Sequence, residues 1–337
     1  MDYLKALRES PYVYEKKLNN GISSFNFTRE AFWGKHWTDM AVKARGLFID
    51  TVNYRVKARS YDKFFHVGER RETELSEIDK WRDGYYVTAY VKENGYLGIC
   101  SWDKDDTLFC ASKSTDEGWF ADRFREILLE TLGDNVKDFS HYLHFENLSA
   151  VFEVIDPEND AHIIEYDKPQ VILLDLIYNE WEPGDLYFLN KCYEILDMVG
   201  IRFGLQVKKR AAELWSYEDI VNFYNKVTAP GYKYKGHFIE GFVLEGANGE
   251  HAKIKTEYYT FWKQMRNAIT CARKGKKYNP HGFELKDHPE FDALMTYIAK
   301  MAPAYYNAYG KDINVIDLRK GFETYYDILH EWYSKWG

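Results

Sequence analysis

The chain has 337 residues, enough for one large domain and a smaller one, and its 45% apolar content is ample for a core. A net charge of −8 gives no global electrostatic case for coating a nucleic acid, although a protein acting at a strand end needs only a local basic surface. The N-terminal MDYLKALRES is charged and lacks an apolar signal region, and no apolar run approaches membrane length. The expected protein is soluble, intracellular and cytoplasmic, with no membrane partner, and monomeric.

Cys100, Cys110, Cys192 and Cys271 form no CxxC pair, which fits free thiols in a reducing compartment better than a disulfide frame or a zinc site. Tyr, Phe and Trp make up 18% of the chain, an unusually aromatic composition. Most such residues pack cores, but Tyr and Trp also stack on bases and line ligand pockets.

In chain order, residues 22–27 and 46–60 read as strands, the second a hairpin turning near Asn53. Strands follow at about 85–92, 96–103 and 107–112, with Asn94-Gly95 read as the tight turn between the first two. GWFADRFREILLETL (118–132) has apolar residues at helical spacing, and 137–146 continues helically. AVFEVI, AHIIEY and QVILLDLIY return to strand patterning. Two helices come next, DLYFLNKCYEILDMVG and SYEDIVNFYNKV, the second capped by Ser216. GFVLEG (241–246) and HAKIK (251–255) are the last strands. From Thr256 to Gly337 the periodicity is helical, with one loop around Tyr278–Gly282. A boundary near 256–266 divides the chain into domains at 1–262 and 263–337.

Several charged residues interrupt apolar strands. Lys92 ends a β-branched run just before Asn94-Gly95, and Ser112 and Lys113 end another strand. Glu153 lies inside VFEVI, Glu240 enters a strand at IEGFVL, and Lys253 and Lys255 share one face of AKIK. Each alone has a bland reading as an exposed edge or a capped turn. Together they argue for convergence, because charges set between large apolar residues are costly unless they meet at a site.

The ordered set KENG, SKS, FEVI, EGFV and KIK resembles motifs I, Ia, III, IV and V of the covalent nucleotidyltransferases, the ATP-dependent ligases and GTP-dependent capping enzymes. KARGLFID followed by RSYDKFFHVGE narrows the resemblance to RNA ligases of the phage tRNA-repair type and to the adenylyltransferase domain of fungal tRNA ligases. It runs from about residue 40 to 262. The implied fold is α+β, a nucleotidyltransferase (ligase adenylation) domain of antiparallel sheets flanked by helices, plus a helical C-terminal domain.

The resemblance implies that Lys92 is the nucleophile that takes AMP from ATP, with Asn94 and Gly95 beside it in the ATP site. Arg45 and Lys63 would hold the triphosphate, with Lys113 a further ATP contact. Lys253 and Lys255 would meet charge building on the phosphate, and they and Lys113 would help keep the attacking amine neutral. Glu240 and Glu153 would ligate Mg²⁺ or Mn²⁺, Glu153 alternatively bonding the ribose, and Tyr259 would contact the nucleotide. The implied partner is RNA with 5′-phosphate and 3′-OH ends, such as a nicked tRNA, joined by an ATP-dependent RNA ligase in RNA or tRNA repair. Alternatives are a tRNA-splicing-type ligase that demands a 2′-phosphate, and a non-catalytic RNA-binding protein with this fold. A DNA ligase or capping enzyme usually carries a β-barrel after motif V, and the helical tail argues against both.

His141 and His144 have metal-compatible spacing but no third ligand nearby, so they read as surface or capping residues. Lys208-Lys209-Arg210 and Arg273–Lys277 are short basic runs, read equally as solvated surface or as RNA contacts. The second, with Lys274, Lys276 and Lys277, leans towards RNA. Trp332, Tyr333 and Trp336 are read as tail packing.

Overall fold

A computed structural model describes residues 3–160, 162–181, 193–278 and 291–324. The chain divides into two compact units, one of Met1–Asp156, Lys168–Tyr224 and Phe242–Ile254, the other of Pro157–Asp167, Asn225–Gly241 and Lys255–Gly337. No described helix is long and apolar enough to cross a membrane.

After a first helix, α1 (Tyr3–Glu9), an antiparallel four-stranded sheet forms in chain order from β1 (Val13–Lys17), β2 (Ile22–Phe27), β3 (Leu47–Asp50) and β4 (Arg55–Arg59). Two short helices, α2 (Arg29–Trp33) and α3 (Asp39–Lys43), lie between β2 and β3, each N-capped by a threonine hydroxyl. β3 and β4 form the expected hairpin, and Asp50 closes its turn by accepting from the Val52 and Asn53 amides.

The remaining strands form two five-stranded sheets. They are β5 (Phe65–His66), β6 (Val87–Lys92), β7 (Tyr96–Trp102), β8 (Leu108–Ala111), β9 (Leu148–Ile155), β10 (Gln170–Tyr178), β11 (Gln206–Val207), β12 (Arg210–Leu214), β13 (Gly241–Glu245) and β14 (His251–Lys255). One sheet has the order β11-β10-β9-β7-β8 and the other β12-β6-β13-β14-β5. A short helix, α4 (Leu75–Ile78), precedes β6. Three helices, α5 (Trp119–Leu132), α6 (Val136–Phe145) and α7 (Tyr193–Phe203), supply Phe124, Leu128, Phe139, Leu143 and Phe203 to a core shared with β7, β9 and β10. Cys100 and Cys110 are opposite one another in the β7–β8 register, both free and buried, and burial pushes the Cys100 thiol up. Cys192 falls outside the described residues.

α8 (Tyr217–Thr228) leads towards the second unit, which is helical. α9 (Glu257–Arg273) and α10 (Phe291–Tyr309) pack through Trp262, Met265, Ile269, Leu294 and Ile298, and helix resumes at 315–324. The expected strand AHIIEY does not form: Ala161 is outside the described residues, and 162–166 are irregular. Ile163 and Ile164 are instead buried in this helical core, so an apolar pair found its burial without a ladder. The first half of the helix expected over DLYFLNKCYEILDMVG, most of the loop after Tyr278, and Trp332, Tyr333 and Trp336 also lie outside the described residues.

The structure corrects a second expectation. Asn94-Gly95 is not a hairpin turn, because β6 and β7 belong to different sheets and neither residue takes the positive φ that such a turn requires. The chain crosses from one sheet to the other over 93–95. Gly95 is needed because a Cβ there would come within 2.1 Å of the Val154 carbonyl oxygen on β9. Gly95→Ala is expected to destabilise the chain by about 1–3 kcal/mol, since backbone rather than a flexible side chain must yield. Chemical denaturation measures it, and an unchanged midpoint would show that the crossing is loosely packed.

Candidate active site

Lys92 is the last residue of β6, where the chain leaves its sheet, and its ammonium donates to the Glu93 carbonyl at 3.3 Å. Glu153 is the only residue of β9 that is not buried, and its Oε1 accepts from the Gly95 amide at 2.7 Å. The crossing and the carboxylate therefore fix each other. Asn94 is buried beside them at 7% exposure.

Arg45 follows α3 and donates to the Ser60 hydroxyl at 3.3 Å. Burial lowers its pKa, offset by Glu153, Tyr61 and Asp62, which places it near the Glu153 carboxylate. Lys113, just beyond β8, is also lowered by burial and then by Arg45. Lys63 is pushed down to about 8, first by burial and then, against the pull of Glu69, by Arg45, Arg70 and Lys113. Three sequence-predicted cations are thus close enough to perturb one another, an arrangement that favours a polyanion between them.

An aromatic run holds them. Phe27, Trp37 and Phe65 contact edge to face at 5.1 and 5.4 Å. The Lys113 ammonium lies 4.3 Å from the Phe27 ring, and the Lys63 ammonium lies 3.9 Å from Phe65 and 4.8 Å from Trp37. Ring faces stabilise the ammoniums without neutralising them, so the charge stays available to a ligand. Lys253 joins this group, because it and Lys63 both donate to the Phe64 carbonyl, at 3.2 and 3.1 Å.

Sequence reasoning missed the aromatic support and Arg70, which lies 4.6 Å from the Phe65 ring on the side chain's own loop. Arg70 and Lys63 line a cavity of about 410 Å³ with Tyr61, Phe64, Trp81 and His251. Neither Lys92 nor Glu153 lines it. The signal available in the sequence was the aromatic density of FNF, HW and KFFH, too common in cores to single out.

The second unit holds Glu240, Lys255 and Tyr259. Glu240 is 3% exposed and pairs with the Lys255 ammonium at 2.8 Å. Lys255 also lies 4.3 Å from the ring of Tyr259, itself buried in the helical core. Thr256 caps α9 and donates its hydroxyl to the Ile239 carbonyl at 2.8 Å, tying the helix start to the Glu240 segment. Glu240 and Glu153 offer the hard oxygens that Mg²⁺ or Mn²⁺ take. Among the described residues no three His, Cys, Asp or Glu side chains cluster to hold a metal.

The remaining candidates separate clearly. Lys274, Lys276 and Lys277 are exposed after α9, whereas Arg273 is held by Asp312 at 3.1 Å. His141 pairs with Asp106 at 2.6 Å and His144 stacks on Trp102, so their spacing serves surface contacts. The run holding Lys208 reads equally as solvated surface or as an RNA contact, and Lys208 is neither exposed nor free. It is 5% exposed and donates to both oxygens of Glu245, because a carboxylate on β13 meets it inside the unit.

Known proteins share this organisation. Residues 43–262 match the profile of a family described as RNA ligase. The tRNA ligase of Candida albicans is 26% identical over 282 residues, which cover 72% of this chain and 32% of that protein. The tRNA ligase 1 of Schizosaccharomyces pombe is 28% identical over 167 residues, 46% of this chain and 21% of that protein. The chain thus spans a third or less of the length of these relatives. An archaeal ATP-dependent RNA ligase superposes with a TM-score of 0.52 at 14% identity, covering 97% of this chain and 86% of that one. A putative ATP-dependent DNA ligase from Aquifex aeolicus does so with a TM-score of 0.51 at 15% identity, covering 92% and 74%. These superpositions fix the architecture as the α+β ligase nucleotidyltransferase fold with a helical C-terminal region. The family profile spans well over half of the sequence, including Arg45, Lys63, Lys92, Glu153, Glu240 and both KIK lysines, and the chain belongs to the RNA ligase family.

Proposed function

We propose that this chain is an ATP-dependent RNA ligase that joins a 5′-phosphate to a 3′-OH through lysyl-AMP and RNA-adenylate intermediates. The observation that carries the reading is the convergence of Lys63, Lys113 and Lys253 on aromatic faces and, for Lys63 and Lys253, a shared carbonyl, with Arg45 close enough to perturb Lys63 and Lys113, in the unit that also holds Lys92 and the Glu153–Gly95 clamp. That arrangement suits three linked phosphates and a nucleophilic amine.

In the first step the Lys92 amine attacks the α-phosphorus, a P–N bond forms, and the α–β anhydride breaks to release pyrophosphate. Neighbouring cations favour the neutral amine. Arg45 and Lys63 orient the leaving pyrophosphate, while Lys253 and Lys255 meet negative charge on the α-phosphate. Glu240 and, separately, Glu153, alternatively a ribose contact, are the carboxylates that would ligate a divalent cation, which when bound neutralises charge on the triphosphate. The RNA 5′-phosphate next attacks the AMP phosphorus and frees the amine, and the 3′-OH then displaces AMP. The domain reading is a nucleotidyltransferase domain over 1–262 that carries this chemistry and a helical domain over 263–337 that contacts RNA.

The names of the fungal relatives, both tRNA ligases, favour tRNA as the substrate of the same chemistry, and a second reading adds a tRNA-splicing-type demand for a 2′-phosphate at the acceptor end. Joining assays on paired acceptors, 2′-OH and 2′-phosphate, separate the two. ATP and RNA are both intracellular, which is where we place the activity.

Protein mixed with α-labelled ATP and a divalent metal is expected to retain label on a denaturing gel, and Lys92→Ala and Lys92→Arg are both expected to lose it. Alanine has no amine, and a guanidinium stays protonated. Arg45→Ala and Lys63→Ala should fail with ATP yet still seal RNA supplied already adenylated. Label surviving in either Lys92 variant, or none in the wild type, removes the reading in favour of an RNA-binding module.

A lysine depressed to about 8 binds fewer protons folded than unfolded between pH 8 and 10.5. Its contribution therefore disfavours the folded state below pH 8, and stability rises with pH through that window. A polyphosphate beside Lys63 should restore its proton. At pH 8.5, calorimetry in two buffers of different ionisation enthalpy should show a fraction of a proton taken up on binding an ATP analogue with a non-cleavable α–β bridge. Uptake unchanged in Lys63→Met would place the phosphates elsewhere.

Changing Lys274, Lys276 and Lys277 together to alanine should leave lysyl-AMP formation intact and weaken RNA binding. The slope of log K against log salt should fall by up to about 2 if all three touch phosphates. An unchanged slope would mark them as solvated surface.

A further inference from the structure

The first unit contains a buried layer of four charged residues that the chemistry above does not use. Asp175 on β10 is 4% exposed and Lys208, between β11 and β12, is 5% exposed. Glu245 ends β13 and His251 begins β14, each with its side chain 11% exposed. The Lys208 ammonium lies 2.7 and 2.6 Å from the two Glu245 oxygens. His251 Nε2 lies 3.6 Å from Glu245 Oε1, and Nδ1 is 2.7 Å from the Gly249 carbonyl, which requires the proton on Nδ1. Asp175 Oδ1 accepts from the Leu176 amide at 2.8 Å, while Oδ2 is buried with no hydrogen-bond partner.

The charges balance. Burial opposes the Glu245 carboxylate, but Lys208 and His251 hold it down at about 2. Burial likewise opposes the His251 cation, yet Glu245 raises its pKa. Burial pushes Asp175 up to about 6 against the pull of Lys208 and His251. Four groups that would each be costly alone are tolerable only together.

Their placement gives the layer a use. Sheet order runs β6-β13-β14, so Glu245 sits on the strand between those bearing Lys92 and Lys253. Strand alternation puts Tyr90 on the face of Lys92, and His251 on the face of Lys253. Lys208 reaches the first pair, its ammonium 4.2 Å from the Tyr90 ring. His251 reaches the second through Phe64, whose ring is 5.6 Å from the imidazole and 5.1 Å from the Lys253 ammonium.

We propose that Lys208, Glu245, His251 and Asp175 form a positioning layer that fixes β6 against β14 and so holds Lys92 and Lys253 at one spacing during adenylation. The inference rests on the reading of Lys92 as nucleophile. None of the four has a part in the adenylation step described above. They act through Tyr90 and Phe64.

The experiment measures lysyl-AMP formation at varied ATP, with thermal melts, for three proteins. Glu245→Gln keeps the shape but strands the Lys208 charge. Glu245→Gln with Lys208→Met removes both charges at similar volume, which often recovers stability. We expect Glu245→Gln to melt lower and to lose about tenfold to a hundredfold in the rate at saturating ATP, with KM for ATP within about threefold, the size of effect that misplaced reacting groups produce. The double variant should recover the melt but not the rate, because apolar contact cannot set the register that the ion pair sets. A rate that recovers with the melt shows a purely structural layer and overturns the proposal, as does a Glu245→Gln rate within twofold of wild type. If Glu245→Gln does not fold, His251→Gln is read by the same two numbers. Absence of label in the wild type would instead sink the nucleophile reading, and the positioning role with it.

Discussion

The structure depends on one close approach, that of the Gly95 backbone to the Val154 carbonyl. Two sheets of the first unit meet through a three-residue crossing, and only a residue without a Cβ lets β9 pass that near. The same contact carries the amide that Glu153 accepts, so a packing constraint also orients a carboxylate. Lys92 inherits its position from this joint. It ends a buried strand at the point where backbone pairing stops, which frees its side chain from the core without releasing its Cα.

Charge in an acidic chain is managed locally. Surface pairs such as Lys80–Glu77 and Arg125–Asp122 are exposed and contribute little individually. The cations that matter to the proposed chemistry rest on aromatic faces instead, Lys113 on Phe27 and Lys63 on Phe65 and Trp37. A ring attracts an ammonium and leaves its N–H donors available to a ligand, whereas a carboxylate partner would occupy them. The high aromatic content, uninformative as composition, acquires a purpose at these positions.

Buried charge follows another rule. Lys208, Glu245, His251 and Asp175 are removed from water together, where the desolvation of each is offset by the others. In the second unit Glu240 and Lys255 are handled as a single pair next to the Thr256 cap.

The sequence by itself determined most elements and the membership of the site. The strands at 22–27, 87–92 and 170–178, and the helices at 119–132 and 257–273, follow from which positions need burial, a local property of the chain. Motif order gave the residues to watch because their chemistry is carried by side-chain type at fixed spacing. Tertiary structure decided what depends on partners distant in sequence. Asn94-Gly95 has turn composition, but pairing with different sheets makes it a crossing. HIIEY has strand composition, but a helical core took its isoleucines. Lys208 belongs to a basic run that reads as solvated surface or RNA contact, and only the arrival of Glu245 from β13 makes its burial possible. A pattern records which residues seek burial or pairing, and long-range contacts settle with whom.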